Sequence, residues 1–202
     1  MQRAGLRIVA VLAWLLAWQS PATAQQTASA QFIKQIGDQA ISVLRSQTAS
    51  LDQRETQFRL ILSQNFDVAF IGRFVLGRHW QRANAEQQSD YLRLFQDFLV
   101  KTYASRMGGY AGETLVIVAE RDGGGRDTVV RTRIDRPAGP PIEADWRVRQ
   151  QDIGYRIIDV EVGGISMAIT QRAEFDSLVQ RNGVDGLIEV LRAKTSRLAA
   201  AN

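Results

Sequence analysis

The hydrophobic period changes twice along this chain, and those two changes restrict its fold more than any other feature. Between residues 30 and 107 apolar side chains recur at three- and four-residue steps, from 113 to 162 at nearly every second residue, and after Gly163-Gly164 the longer spacing returns. Side chains on a helix share a face every 3.6 residues and on a strand every second residue. The order is therefore helices, strands, helices. One arrangement buries all these faces together: an α+β fold, with helices packed on one face of a four-stranded twisted antiparallel meander sheet.

The helical part divides by its caps. Phe32, Ile33, Ile36, Ala40, Val43 and Leu44 define an amphipathic helix over about 30–48. Asp52 with Glu55 has the form of a capping box, followed by Phe58, Leu62 and Phe66. Asp67 is placed to cap a short helix carrying Phe70, Ile71, Phe74 and Val75, which Gly77 closes. Asn84 and Gln87 open a longer helix with the stripe Tyr91, Leu94, Phe95, Phe98, Leu99, Tyr103 and Met107, ended by Gly108-Gly109.

The strands are 113–121, 127–136, 142–150 and 155–162. The first is apolar on both faces. The third alternates most cleanly, with Ile142, Ala144, Trp146 and Val148 on one side and Glu143, Asp145, Arg147 and Arg149 on the other. The glycine-rich stretch 122–127 joins two strands. It therefore lacks the helix N-terminus that a phosphate-binding loop needs. Beyond Gly164 come two helical stripes, one with Ile169, Phe175, Leu178 and Val179, the other with Leu187, Leu191 and Leu198. Asn182-Gly183 separates them, and Asp185 is placed to cap the second.

The first residues belong to no such pattern. Arg3 and Arg7 precede an unbroken apolar run, residues 8–18, and Ala22 and Ala24 then give a small-x-small cleavage pattern. The run is too short for a membrane-spanning helix, which takes about 20 residues. We read residues 1–24 as a signal peptide removed on export, and residues 25–202 as a single domain. Without Arg3 and Arg7, the 25 basic residues become 23 against 21 acidic, mixed along the chain. Nucleic acid is not an expected partner. The chain has no cysteine, so an exported fold must rest on packing alone, which suits a bacterial periplasm.

No catalytic constellation is legible. With no cysteine, and no serine in a nucleophile elbow, a triad has no starting point. The single histidine, His79, has no sequence-identifiable partner, and a metal site needs several ligands. Neither a metal nor a cofactor is expected. Aromatics, by contrast, are dense. Phe66, Phe70, Phe74, Trp80, Tyr91, Phe95, Phe98, Tyr103 and Tyr110 fall on consecutive helices, and periodicity cannot separate a packed core from a lined pocket.

Three stretches carry a resemblance. Residues 70–107 contain Leu76-Gly77, Trp80, Glu86-Gln87 and the series Phe95, Phe98, Leu99, Tyr103. Residues 155–175 contain Asp159, Val160, Val162, Gly164, Ile165 and Ser166. Residues 183–192 read GVDGLIEVLR. In order and spacing these resemble the MlaC, or toluene-tolerance, family of periplasmic phospholipid-binding proteins over roughly 32–195. The chain departs from that family at Tyr155, where tryptophan is frequent, and at Thr170-Gln171-Arg172.

The resemblance implies a non-enzymatic carrier that shuttles phospholipid between outer and inner membrane, maintaining outer-membrane lipid asymmetry. Its implied partners are an outer-membrane lipoprotein–porin complex and an inner-membrane ABC transporter with an MCE subunit. On this reading Val116, Val118, Val130, Ile134, Trp146, Val148, Ile158 and Val160 form the sheet wall of an apolar lipid cavity. Phe70, Phe74, Phe95, Phe98, Leu99 and Tyr103 form its helical wall, and Met167 and Ile169 its mouth. Arg78, His79, Arg131, Arg133, Arg147 and Arg149 are candidates for partner docking. Two alternatives stand beside it: a small enzyme acting on a hydrophobic substrate on a cone-shaped α+β scaffold, and a structural adaptor whose aromatics merely pack.

Overall fold

The computed structural model describes residues 27–45, 50–104 and 111–200. The expected signal peptide and the Gly108-Gly109 stop lie outside them. The elements run α1 (Ala28–Arg45), α2 (Leu51–Asn65), α3 (Val68–Leu76), a 3-10 turn (Gly77–Arg82) and α4 (Ala85–Ala104). Strands β1 (Thr114–Gly124), β2 (Asp127–Asp135), β3 (Ile142–Gln151), β4 (Gly154–Val162) and β5 (Ile165–Ser166) follow, then α5 (Met167–Ala200). The sheet is an antiparallel meander in the order β1-β2-β3-β4-β5. It has five strands where four were expected, because Ile165 and Ser166 fold back onto Val162 and Glu161.

Local chemistry sets the boundaries. Asp67 accepts from the Phe70 N–H at 2.9 Å, and Gly77 ends α3 with φ of 58°, a conformation that only glycine adopts freely. Asn84 and Gln87 bond each other's backbone N–H at 2.9 and 3.0 Å, closing the box that starts α4. The box of α2 sits two residues earlier than expected: Ser50 pairs with Gln53, and Glu55 instead faces Lys101 of α4 at 2.6 Å. β1 runs three residues further than its apolar pattern. The ladder continues through Asp122 and Gly124, leaving only Gly125 and Arg126 as the turn. Gly183, with φ of 70°, breaks α5 in the middle. Asp185 accepts from Gln87 of α4 at 2.8 Å, tying the second half of α5 to the start of α4.

Two separate hydrophobic clusters result. One is entirely helical, built from α3, α4 and α5. The rings of Phe95 and Phe98 lie 6.2 and 6.1 Å from that of Phe175, and Tyr91 stacks on Phe95 at 5.7 Å. Gly72 lets α3 approach α4 closely. A Cβ there would sit 2.7 Å from the Leu92 side chain, and the Tyr91 hydroxyl donates to the Gly72 carbonyl at 2.9 Å. The other cluster joins α1 and the end of α2 to the sheet. Ile33, Ile36 and Ile61 meet Val130, Val148 and Ile157, and Phe66 touches both clusters.

Candidate functional site

The sheet-side cluster lies between α1, the end of α2 and the inner face of the sheet. Its centre is fully buried. Around it lie Phe32 and Val43 of α1, Ile117 of β1, Trp146 of β3, and Tyr155 and Val160 of β4, all only partly buried. Strand register explains the set. Residues directly opposite on adjacent strands share a face, so Val130, Trp146 and Val160 form one row, while Val148 and Ile157 fall in the next. Opposite them, α1 is the most sharply two-faced of the described helices. Gly37 brings it close: a Cβ would meet the Leu115 side chain at 3.0 Å. The Phe32 and Tyr155 rings lie 5.8 Å apart across the helix–sheet gap.

Polar atoms on this face are used internally. The Trp146 indole N–H donates to the Thr132 hydroxyl at 2.9 Å, and that buried hydroxyl donates to the Ala144 carbonyl at 3.2 Å. The indole thus offers its ring and no free donor, as a wall for an apolar ligand requires.

The expected residues divide. Val130, Trp146, Val148 and Val160 belong to the sheet-side cluster. Ile134 is half-buried near the end of β2 and Ile158 is buried. Val116 and Val118 correct the expected wall: they are 39% and 50% exposed. The inward apolar residues of β1 are Leu115 and Ile117, and Val118 is the extra residue of a bulge between Ile117 and Ala119. The expected helical wall is corrected too. Phe95 and Phe98 are buried in the helical cluster against Phe175 of α5, and Phe70, Phe74 and Leu99 pack half-buried against that cluster. Of that set Tyr103 reaches toward α2, with its ring 6.5 Å from Phe58. Met167 is half-buried and Ile169 exposed. Sequence reasoning missed Phe32, Ile33, Ile36 and Val43, although the strong apolar stripe of α1 was visible.

The candidate docking arginines are mostly committed. Arg131 forms a two-point pair with Asp145 at 2.7 and 2.9 Å, and Arg133 pairs with Asp135 at 2.8 Å. Arg149 grips Asp127 at 2.7 and 3.0 Å while Arg147 reaches it at 3.4 Å. Hydrogen bonding from Arg149 and from Arg131 holds Asp127 and Asp145, respectively, below the usual carboxylate range. These arginines are therefore not the free docking charges expected of them. Nor is His79 an exposed docking group. It is buried, with Nε2 2.7 Å from Asp176 Oδ1. Arg78 is exposed and also reaches Asp176, at 3.0 Å. Beside them a cleft of about 410 Å³ is lined by Arg78, His79, Arg82 and Gln180, opposite the Gly183 break.

No group of three or more His, Cys, Asp or Glu residues that could hold a metal occurs among the described residues. The buried Tyr91 phenol is pushed far above its ordinary range by desolvation and bonded to backbone, so it is unsuited to proton transfer near neutral pH. The motif around Asp159 is structural. Its Oδ1 accepts from the N–H of Val160 at 2.8 Å and of Ala168 at 3.1 Å, and Ser166 bonds its other oxygen, capping α5.

The model of the MlaC protein family matches residues 34–193. The intermembrane phospholipid transport system binding protein MlaC of Haemophilus influenzae is 21% identical over 180 residues, covering 85% of this chain and 84% of the relative. The structure of a phospholipid-binding protein from Ralstonia solanacearum, in complex with a phospholipid, superimposes with a TM-score of 0.78 at 22% identity, over 86% of this chain and 99% of that one.

Proposed function

This chain belongs to the MlaC family, and we propose that it is a non-catalytic phospholipid carrier whose ligand lies between α1, the end of α2 and the inner face of the sheet. The observation that carries the reading is the ring of half-buried apolar side chains around Val130, Val148 and Ile157, with the one indole donor already bonded. The named relatives bind or transport phospholipid.

The chemistry required is small. Each methylene moved from hydrocarbon to water costs about 0.8 kcal/mol. A diacyl lipid with some 28 methylenes thus faces a barrier of roughly 20 kcal/mol in water alone. A carrier removes that barrier by offering the chains an apolar slot while the head group stays in solvent. No bond is made or broken, so no nucleophile, acid or metal is needed.

We place this activity in a periplasm, behind a cleaved signal peptide, with phospholipid passing between an outer-membrane lipoprotein–porin complex and an inner-membrane ABC transporter bearing an MCE subunit. Maintenance of outer-membrane lipid asymmetry follows from such traffic. Support comes from the N-terminal leader pattern and from the absence, among the described residues, of any helix long and apolar enough to cross a membrane. For docking, the exposed Arg78 and Arg82 at the rim of the cleft are the charges we assign to an acidic partner surface. Arg78→Glu is expected to weaken binding to those complexes, and unchanged affinity would remove that assignment.

Native mass spectrometry of the purified protein, followed by mass analysis of its organic extract, tests the carrier reading. A stoichiometric phospholipid adduct is expected. A clean apo mass that resists loading from liposomes would overturn it.

A further inference from the structure

Among the described residues, three of the seven exposed large apolar side chains lie together at one tip. Val162, Ile165 and Ile169 are 38%, 59% and 61% exposed and fall within eight residues, at the β4–β5 hairpin and the first turn of α5. Val162 and Ile165 are register partners, so their side chains share a face. Residues 162–170 carry no charge. Between the two partners Gly163 and Gly164 turn with φ of 58° and 79° and have nothing within 4 Å of their Cβ positions, leaving the backbone at the tip bare.

This exposure is built in and does not come from a loose end. Asp159 and Ser166 clamp the segment from below: Asp159 takes the Ala168 N–H at 3.1 Å, and the Ser166 hydroxyl takes the Ile169 N–H at 3.0 Å. Thr170 adds a bond to the Ser166 carbonyl at 2.8 Å. Ile165 and Ile169 are therefore fixed facing water, an arrangement that opposes folding unless something covers them.

Size and shape decide what does. Three side chains on a convex tip fall far short of the roughly 800 Å² per partner that a stable protein interface buries, so a second copy of the chain is not held there. A bilayer interface asks for less: a few apolar side chains, a backbone that comes close, and no charge to desolvate. We propose that the Val162–Ile169 tip docks the protein on a lipid surface by shallow insertion of Ile165 and Ile169. The neighbouring charges are mixed: Glu161 on β4 and Glu143, whose carbonyl accepts from the Gly163 N–H at 3.2 Å, lie beside Arg131 and Arg133. With no unbalanced positive charge beside the tip, docking requires no anionic lipid and is insensitive to salt. The proposal rests on the carrier reading, since a carrier must meet the surface that holds its ligand.

The test is flotation of the protein with vesicles of pure dioleoylphosphatidylcholine, and the rate of phospholipid transfer out of them. Wild type is expected to partition onto these vesicles equally at low and high salt. Ile165→Ser/Ile169→Ser is expected to reduce partitioning about tenfold or more and to slow transfer, with unchanged melting. Ile153→Ser, at the opposite end of β4 and 85% exposed, is the control and should change neither. Failure of wild type to float, or equal flotation by the double variant, or an equal loss in Ile153→Ser, overturns the proposal. Lipid content of the purified protein is measured separately. Bound phospholipid with a silent tip leaves the carrier reading standing, while an empty protein removes that reading and leaves flotation alone to judge the tip.

Discussion

The helical cluster and the sheet-side cluster each have a buried centre and a half-buried apolar rim, but aromatic rings fill the helical centre while isoleucine and valine fill the sheet-side one. Around Phe175 the aromatics of α4 and α5 meet ring to ring, and Tyr91, Phe95 and Phe175 are almost wholly removed from water. Around Val148 only the centre is closed, and Phe32, Trp146, Tyr155 and Val160 keep part of their surface. The difference comes from what faces each cluster. α4 and α5 run along each other and interlock, whereas α1 and α2 cover a sheet more sparingly. α2 buries only Ile61 and Leu62. It is held to α4 by two ion pairs, Glu55–Lys101 at 2.6 Å and Arg59–Asp97 at 2.8 Å. On the proposed reading, one apolar region serves stability and the other holds the ligand.

Substitutions should separate the two. The largest stability loss is expected for Phe175→Ala, about 3–5 kcal/mol by urea denaturation, with phospholipid content per folded molecule unchanged. Trp146→Ala removes a half-buried ring and should cost about 2 kcal/mol, below the fully buried aromatic range, while lowering phospholipid loading sharply. Equal effects of the two on loading would erase the distinction.

Next in size is Asp127→Asn, which leaves Arg147 and Arg149 without their shared acceptor. About 1–3 kcal/mol should be lost near neutral pH. The sign with pH follows from its depressed carboxyl. An aspartate held low in the fold stabilises above its unfolded value of about 3.9 and loses that contribution as pH falls through the folded value. Wild type and variant should therefore converge in acid. The smallest effect is expected at the more exposed rung of the α2–α4 seam. Arg59→Asp with Asp97→Arg restores a pair of about 0.5 kcal/mol that either change alone removes, measurable as a double-mutant cycle.

Much of the fold was legible because period and caps are local properties. Asp67, Asn84 with Gln87, and Gly183 marked real boundaries. What faces what was less so. The stripe of Phe95 and Phe98 has the same spacing whether it looks at a sheet or at Phe175, and only the long-range packing of α5 decides. β1 is apolar on both faces, so parity alone could not choose Ile117 over Val116 and Val118, and the bulge at Val118 shifts parity again. The arginines of the sheet alternate outward as read, but the pairing of Arg147 and Arg149 with Asp127 and of Arg131 with Asp145 depends on strand register. His79 found its partner 97 residues away, in α5.

The most direct test uses the two tryptophans that follow residue 24, one in each region. Trp80 packs against the helical cluster and Trp146 against the sheet-side cluster. Protein beginning at Gln25, as Trp80→Phe or Trp146→Phe, is loaded with phospholipid carrying brominated acyl chains, and its fluorescence is recorded. Strong quenching of Trp146 with little quenching of Trp80 is the expected result. Quenching of Trp80 alone would contradict the account and move the ligand to the helical side.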